Sequence, residues 1–212
     1  GYNECVSYSF IDAGSAALFG GGSEAVRIEN PISSEMTHMR PDLLPGLLQA
    51  AARNQARGFL DLALFEVGPA FAGGEPGEQA LHATGLLIGG AAPRDPHGAR
   101  RMVDLYDAKA DAEAVLAALG APQKVQIGRK AAGWWHPGRS GVMGLGPTAL
   151  ATFGEVHPKV LRAMDVKGPA VAFTVLVDAV PFPKAKSATR PALDLSDLQA
   201  VERDFAFVVD KG

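Results

Sequence analysis

The stretch from Asn30 to Arg57 reads NPISSEMTHMRPDLLPGLLQAAARNQAR and joins a polar, proline-broken loop to a short amphipathic helix. Asp42 can accept hydrogen bonds from the free amides of the first turn, and Pro45 occupies a first-turn position that has no N–H to lose. Apolar side chains recur at helical spacing, at Leu44, Leu47, Leu48, Ala51 and Ala52. The pattern therefore predicts a rigid loop followed by a helix over residues 42–57 with one buried face.

The composition is that of a globular protein. Of the 212 residues, 47% are apolar and 20% are charged, which is enough for one large domain or for one domain and part of another. The net charge of −3 argues against a chain that coats nucleic acid along its whole surface. No apolar run is long enough for a membrane span, no secretory signal begins the chain, and Cys5 is the single cysteine. We therefore expect a cytoplasmic protein without membrane partners.

Short apolar segments that alternate with turns predict a mixed α+β fold of mainly antiparallel strands. A second helix is predicted over 107–119 with Asp107 as its cap, and a short one over 158–164 beside His157. The predicted strands are 5–11, 24–29, 62–67, 81–88, 125–127, 140–145, 149–155 and 170–180.

The composition changes after residue 180. Residues 181–198 are rich in proline and lysine and indicate a linker. An apolar strand, Phe205 to Val209, is predicted beyond it. The domains expected are therefore a core over 1–180, the linker, and the first strand of another domain over 199–212.

Two motifs leave other functions open. His136, Glu155 and His157 could form a metal site of two histidines and one carboxylate, although both histidines precede proline, where imidazoles commonly cap backbone groups. The segment from Trp134 to Arg139 could stack nucleic-acid bases, or it could belong to a protein interface or the core. The alternatives are therefore a metal-dependent enzyme and an autonomous RNA-binding module.

Several motifs in fixed order carry a resemblance along the whole chain. They are GYNECVS at 1–7, NPISSE at 30–35, MRPDLLPGLL at 39–48, LFEVG at 64–68, HPGR at 136–139, GEVHP at 154–158 and RDFAFVV at 203–209. Together they resemble the bacterial phenylalanyl-tRNA synthetase beta subunit. The resemblance implies a class II synthetase-like antiparallel sheet flanked by helices, followed by the start of a ferredoxin-like anticodon-binding domain.

The same resemblance implies a catalytically silent domain. Catalytic class II enzymes place an arginine directly after an aromatic residue of motif 2 and a glutamate two residues later, and here Phe71 is followed by Ala72 and then by Gly74. Without a cation to stabilise charge on the α-phosphate, amino-acid activation is not expected. The implied role is a scaffold that packs against the alpha subunit of an alpha2beta2 heterotetramer and supports tRNA binding.

We therefore expect structural or interface roles rather than catalytic ones for the selected polar and aromatic residues. Arg40 and Glu35 would brace the loop before the helix, and Glu66 would pair with Arg40 or Arg53. The full set is Asn30, Glu35, Arg40, Asn54, Glu66, Trp134, Trp135, His136, Arg139, Glu155 and His157. No metal or cofactor is expected in this chain, whereas the whole enzyme would use ATP and magnesium.

Overall fold

The computed structural model describes residues 1–92, 96, 98, 100–182, 198, 199 and 201–210. The α-helices are α1 (Ala13–Leu18), α2 (Leu44–Ala56), α3 (Leu105–Ala118) and α4 (Pro158–Ala163). The strands are β1 (Asn3–Glu4), β2 (Phe10–Ile11), β3 (His38–Met39), β4 (Leu62–Phe71), β5 (Gln79–Ile88), β6 (Gln126–Gly128), β7 (Trp135–Leu145), β8 (Thr148–Val156) and β9 (Ala170–Leu176).

Seven of these strands form one sheet in the order β1-β4-β5-β9-β8-β7-β6. All neighbours are antiparallel except β1 and β4, which are parallel. The hairpin β4–β5 lies on one side of β9 and the β6–β7–β8 meander on the other, so the last strand closes the middle of the sheet. The predicted α+β fold with an antiparallel sheet flanked by helices is confirmed.

The two faces of the sheet bury separate cores, because alternate side chains of a strand point to opposite faces. One face packs against α2 and α4 through residues such as Leu47, Leu64 and Val156. The other face packs against α3, where Leu116 and Phe173 are buried. A strand such as β9 therefore contributes to both cores, and each of its buried apolar side chains packs in one of the two.

Helix α2 forms nearly as its sequence predicts. The Asp42 carboxylate accepts a hydrogen bond from the Leu44 N–H at 2.8 Å and satisfies a free amide of the first turn. The helix ends at Ala56, and Gly58 follows with a φ of 91°, a backbone conformation that glycine adopts without steric cost. The observed helix begins two residues later than the predicted 42–57.

The strand predicted over residues 5–11 is wrong. The Cys5 N–H still donates to the Phe65 carbonyl at 2.7 Å, but the N–H of Ser7, two residues on, donates to the Glu66 carboxylate instead of a backbone oxygen. A charged side chain thus replaces the ladder partner, and the chain leaves the sheet before it pairs again in β2.

The strand predicted over residues 24–29 is also wrong. Residues Glu24–Val26 form a 3-10 helix, and the Val26 N–H bonds back to the Ser23 carbonyl. Only Arg27 makes a bridge, to His38. Local turn hydrogen bonds therefore use the amides that a strand would have offered to a neighbour.

Helix α3 begins earlier than predicted, since Asp104 rather than Asp107 is its cap. The Asp104 carboxylate accepts hydrogen bonds from the N–H groups of Tyr106 and Asp107, and the Asp107 side chain accepts from the Asp104 N–H. This reciprocal capping box needs an acid at both positions, and the sequence offers both.

The end of the chain differs from the prediction as well. Most of the predicted linker, residues 183–197, lies outside the described residues. Residues 201–210 are exposed and belong to no strand, since none of the described strands lies alongside Phe205 to Val209. The division into a core, a linker and a further domain remains a prediction.

Candidate functional site

A buried ion pair connects the loop before α2 to the sheet. Arg40 Nη1 lies 2.7 Å from Glu66 Oε1, and the two side chains are only 3% and 4% exposed. The Arg40 guanidinium also donates to the Pro69 carbonyl and to Ser7 Oγ, both at 3.0 Å, and Ser7 Oγ donates to Glu66 Oε2 at 2.6 Å. Three separate segments of the chain are therefore held together by one ionic network.

The other residues predicted around this loop have different positions. Arg40, and not Arg53, is the arginine that contacts Glu66. Glu35 and Asn30 are exposed, and within the described ranges Glu35 has no ion-pair partner, so the structure gives it no bracing contact. Asn54 Nδ2 donates to the Ala50 carbonyl one helical turn earlier, at 2.8 Å.

A second buried polar cluster lies below the start of α2, and the sequence did not reveal it. Thr174 Oγ1 lies 3.5 Å from Asp42 Oδ1 and 3.0 Å from Thr84 Oγ1. His82 follows the same strand face as Thr84, and its Nδ1 is buried without a hydrogen-bond partner among the described residues. The only sequence signal was the alternation of His82 and Thr84 in an otherwise apolar strand.

Burial controls the titration of this cluster. It raises the pKa of the Asp42 carboxyl, since the charged form loses its water. For the same reason it lowers the pKa of the His82 imidazole, against the attraction of the nearby Asp42 carboxylate. Each group is therefore shifted towards its neutral form.

The turn after β4 leaves no room for a side chain at position 74, where the resemblance would place the glutamate. A Cβ atom on Gly74 would lie 2.6 Å from the Ala25 carbonyl oxygen, and one on Gly73 would collide with the Glu78 carboxylate. Glu75 and Glu78 close this turn with a reciprocal capping box. The backbone path itself thus favours glycine where a catalytic carboxylate would stand.

The histidine motifs come together on neighbouring strands, but they do not form a metal site. Two guanidinium nitrogens of Arg139, Nε and Nη2, donate to the Glu155 carboxylate at 2.5 and 2.9 Å. The rings of His136 and His157 stack with their centres 6.4 Å apart. In the part of the chain that the structure describes, no three metal-ligating side chains lie close enough to hold an ion.

The tryptophans of the same segment do not form a base-stacking surface. Trp135 is 2% exposed and lies in the core beneath α2. Trp134 packs against Phe19, with ring centres 5.8 Å apart. Both side chains are therefore part of the packing between the sheet and its helices.

A groove of about 870 Å³ lies between the N-terminal segment and α2. Its walls include Val6 and Tyr8, which are 92% and 71% exposed, and the helical residue Arg53. Large exposed apolar side chains along a groove are typical of a protein interface.

None of the described helices has the length and apolar character that a membrane crossing requires.

Comparison with known sequences places this arrangement in a family. The model of the phenylalanyl tRNA synthetase beta chain CLM domain matches residues 1–176. The chain is 80% identical over 210 residues to the phenylalanine–tRNA ligase beta subunit of Cereibacter sphaeroides, covering 99% of this chain and 26% of that protein. It is 71% identical over 213 residues to the beta subunit of Ruegeria pomeroyi, covering 100% and 27%. The chain thus spans about a quarter of the length of these relatives.

Comparison with solved structures gives the fold. A pyrrolysyl-tRNA synthetase from Desulfitobacterium hafniense superposes with a TM-score of 0.58 over 84% of this chain and 59% of the solved chain, at 14% identity. This likeness, which concerns the fold alone, agrees with the predicted class II synthetase-like core. The match over residues 1–176 and the identities to the two beta subunits show that the chain belongs to the family of phenylalanyl-tRNA synthetase beta-chain CLM domains.

Proposed function

We propose that this chain is a non-catalytic scaffold domain of a phenylalanine–tRNA ligase beta subunit. In this role it packs against the alpha subunit, which performs the chemistry, and it supports the binding of tRNA. The family match and the identities to curated beta subunits support the assignment.

The observation that carries the proposal is the turn after β4. Activation of an amino acid by ATP requires a cation at the α-phosphate, and the loss of one such group costs several kcal/mol of transition-state stabilisation. Here Ala72 supplies no charge, and the carbonyl of Ala25 occupies the space beside Gly74. A charged side chain could be restored at position 74 only by moving the backbone.

The rest of the frame is intact, which favours an architectural role. Arg40 and Glu66 fix the loop before α2, and their network reaches Ser7 in the N-terminal segment. Val6 and Tyr8, on either side of Ser7, are exposed beside the groove. We infer that this rigid, apolar edge is the surface that meets the alpha subunit.

The properties of the whole enzyme follow from the assignment. The assembly would be an alpha2beta2 heterotetramer in the cytoplasm that attaches phenylalanine to its tRNA with ATP and magnesium. In this chain the linker 181–198 would lead to a ferredoxin-like anticodon-binding domain that starts within residues 199–212. A metal-dependent enzyme is not favoured, because Glu155 is already bound by Arg139 and each histidine uses Nδ1 for a backbone contact.

Phenylalanine-dependent exchange of pyrophosphate into ATP tests the silent character of the domain. We expect the purified chain to show no exchange above a blank without phenylalanine, and a supplied alpha subunit to account for all the exchange that appears. Exchange that persists when the alpha subunit is omitted would overturn the proposal.

A further inference from the structure

Two His-Pro turns place two imidazoles side by side at one end of the sheet. Trp135 of β7 and Val156 of β8 are paired in register, and a histidine follows each of them. The rings of His136 and His157 have their centres 6.4 Å apart and their planes 28° from parallel. Both residues are half-buried, so neither is closed off from solvent.

The hydrogen bonds of the two turns fix the same tautomer in both rings. His136 Nδ1 accepts from the Gly138 N–H, and His157 Nδ1 accepts from the Lys159 N–H, each at 3.1 Å. A neutral imidazole that accepts through Nδ1 carries its proton on Nε2. Within the described residues neither Nε2 has a hydrogen-bond partner, so each turn leaves one ring N–H donor free, on rings whose centres are 6.4 Å apart.

This arrangement suits an anion rather than a metal ion. A histidine that binds a metal usually donates its other ring N–H to a carboxylate or a carbonyl, which leaves the coordinating nitrogen unprotonated. Here His136 and His157 show the reverse pattern, because the inner nitrogen accepts and the outer nitrogen carries the proton.

The charged groups around the rings also favour an anion. The nearby Glu155 carboxylate is neutralised by the bidentate contact with Arg139. Lys159 and Arg162 are exposed residues of α4, the helix that begins directly after His157. A neutralised carboxylate and two exposed cations therefore lie close to His157 in sequence.

We propose that His136 and His157 bind one phosphate group of an RNA backbone through their two Nε2–H donors. Roughly half or more of the hydrogen bonds between proteins and DNA go to phosphate and sugar oxygens, and donors on two neighbouring rings can bind two oxygens of one phosphate. The inference rests on the proposed function, in which the chain belongs to an enzyme that handles tRNA. It assigns the contact to the imidazoles and not to the tryptophans, of which Trp135 lies in the core and Trp134 packs against it.

Substitution by asparagine or by glutamine separates two effects: the loss of the outer Nε2–H donor and the loss of the Nδ1 hydrogen bond that holds the turn. The asparagine side-chain oxygen lies near the place of Nδ1, so His136→Asn and His157→Asn keep the backbone hydrogen bonds and lose the outer donors. Glutamine offers an amide N–H near the place of Nε2 and loses the inner acceptor. The asparagine double variant is the test, and the glutamine double variant is its matched control.

The measurement is the affinity of the 212-residue chain for a single-stranded 12-nucleotide RNA, followed by fluorescence anisotropy, with inorganic phosphate as competitor. We expect the asparagine double variant to bind about tenfold more weakly with an unchanged melting temperature, because hydrogen bonds to a charged group are lost. The glutamine double variant should bind within about threefold of the unsubstituted chain.

Equal affinity of the asparagine double variant would overturn the proposal. So would phosphate that shifts the imidazole ¹⁵N resonances while RNA does not, since the site would then take free phosphate only. The alpha-subunit interface uses another edge of the domain, and its titration should be unchanged in both variants. Failure of the phosphate site is therefore distinguishable from failure of the scaffold proposal.

Discussion

Arg40 Nη1 lies 2.7 Å from Glu66 Oε1, in a contact where both side chains are almost fully buried. The pair joins the loop before α2 to β4 across 26 residues of sequence. Removing one member of a buried ion pair leaves the other charge without compensation, which costs far more than the loss of a surface pair.

The substitution Arg40→Ala should therefore lower the free energy of unfolding by roughly 3–5 kcal/mol, because Glu66 is left charged and buried. Urea denaturation measures the change. Arg27→Ala breaks the exposed pair with Glu24 and should change stability by less than about 0.5 kcal/mol. Equal stability of Arg40→Ala and the unsubstituted chain would show that the network does not stabilise the contact between the loop before α2 and β4.

Substitution of Gly46 by alanine should change stability in the direction opposite to the one that helix propensity predicts. Alanine in place of glycine inside a helix usually stabilises by roughly 0.5–1 kcal/mol. In α2 a Cβ on Gly46 would lie 3.0 Å from Ser7 Cβ and would collide with Ser7 Oγ, which is bound to Glu66. We expect Gly46→Ala to lower the melting temperature, and Ser7→Gly to relieve the clash in the double variant. A higher melting temperature for Gly46→Ala alone would contradict this packing.

His82 predicts a loss of stability in mild acid. Burial lowers its pKa below the ordinary value of 6.5, so its contribution to stability is present above that pH and is lost as the pH falls through the native pKa. The raised pKa of Asp42 acts in the opposite sense: its contribution is present below 3.8 and is lost as the pH rises through the native pKa. Asp178 attracts the imidazolium and Arg40 repels it.

The free energy of unfolding measured between about pH 7.5 and about pH 5 reports mainly on the protonation of His82. The free energy of unfolding of the unsubstituted chain should fall over this range by more than that of His82→Gln, which cannot take up the proton. Asp42 is present in both proteins, so the part of its contribution that does not depend on His82 cancels in the comparison. Parallel curves would mean that His82 titrates in the folded chain as it does in the unfolded one.

The capping box of α3 should contribute a smaller, local amount. Asp104→Ala removes the acceptor for the N–H groups of Tyr106 and Asp107 and should cost about 1 kcal/mol in a denaturant titration. Glu113→Ala removes only the exposed pair with Lys109 and should cost less than about 0.5 kcal/mol. If the two variants lose the same stability, Asp104 does not act as the cap.

The sequence predicted the features whose causes are local. Helix α2 and strands β4 and β5 follow from spacing, capping and alternation within a few residues. The resemblance to the synthetase beta subunit supplied the class II-like arrangement of a sheet flanked by helices, whereas the order of the strands was not predicted. The predicted cap of α3, Asp107, lies about one turn after the observed cap, Asp104, because either acidic residue can cap a helix.

Apart from the pairing of Glu66 with one of two candidate arginines, the contacts between distant residues could not be predicted. The Gln55 side chain donates to the Lys167 carbonyl and accepts from its N–H, at 2.7 and 2.8 Å, across 112 residues of sequence. The cluster of Asp42, His82 and Thr174 likewise forms only when α2 meets the sheet. The strand predicted over 5–11 failed for the same reason, because a carboxylate from β4 takes the amide of Ser7.

The titration of the chain with a separately purified phenylalanine–tRNA ligase alpha subunit tests the scaffold role most directly. Isothermal calorimetry should show saturable binding for the unsubstituted chain. The double variant Val6→Asp and Tyr8→Asp should fold normally and lose that binding, because it places two charges in the exposed apolar edge. No binding by the unsubstituted chain, or equal binding by the double variant, would contradict the role assigned to this domain.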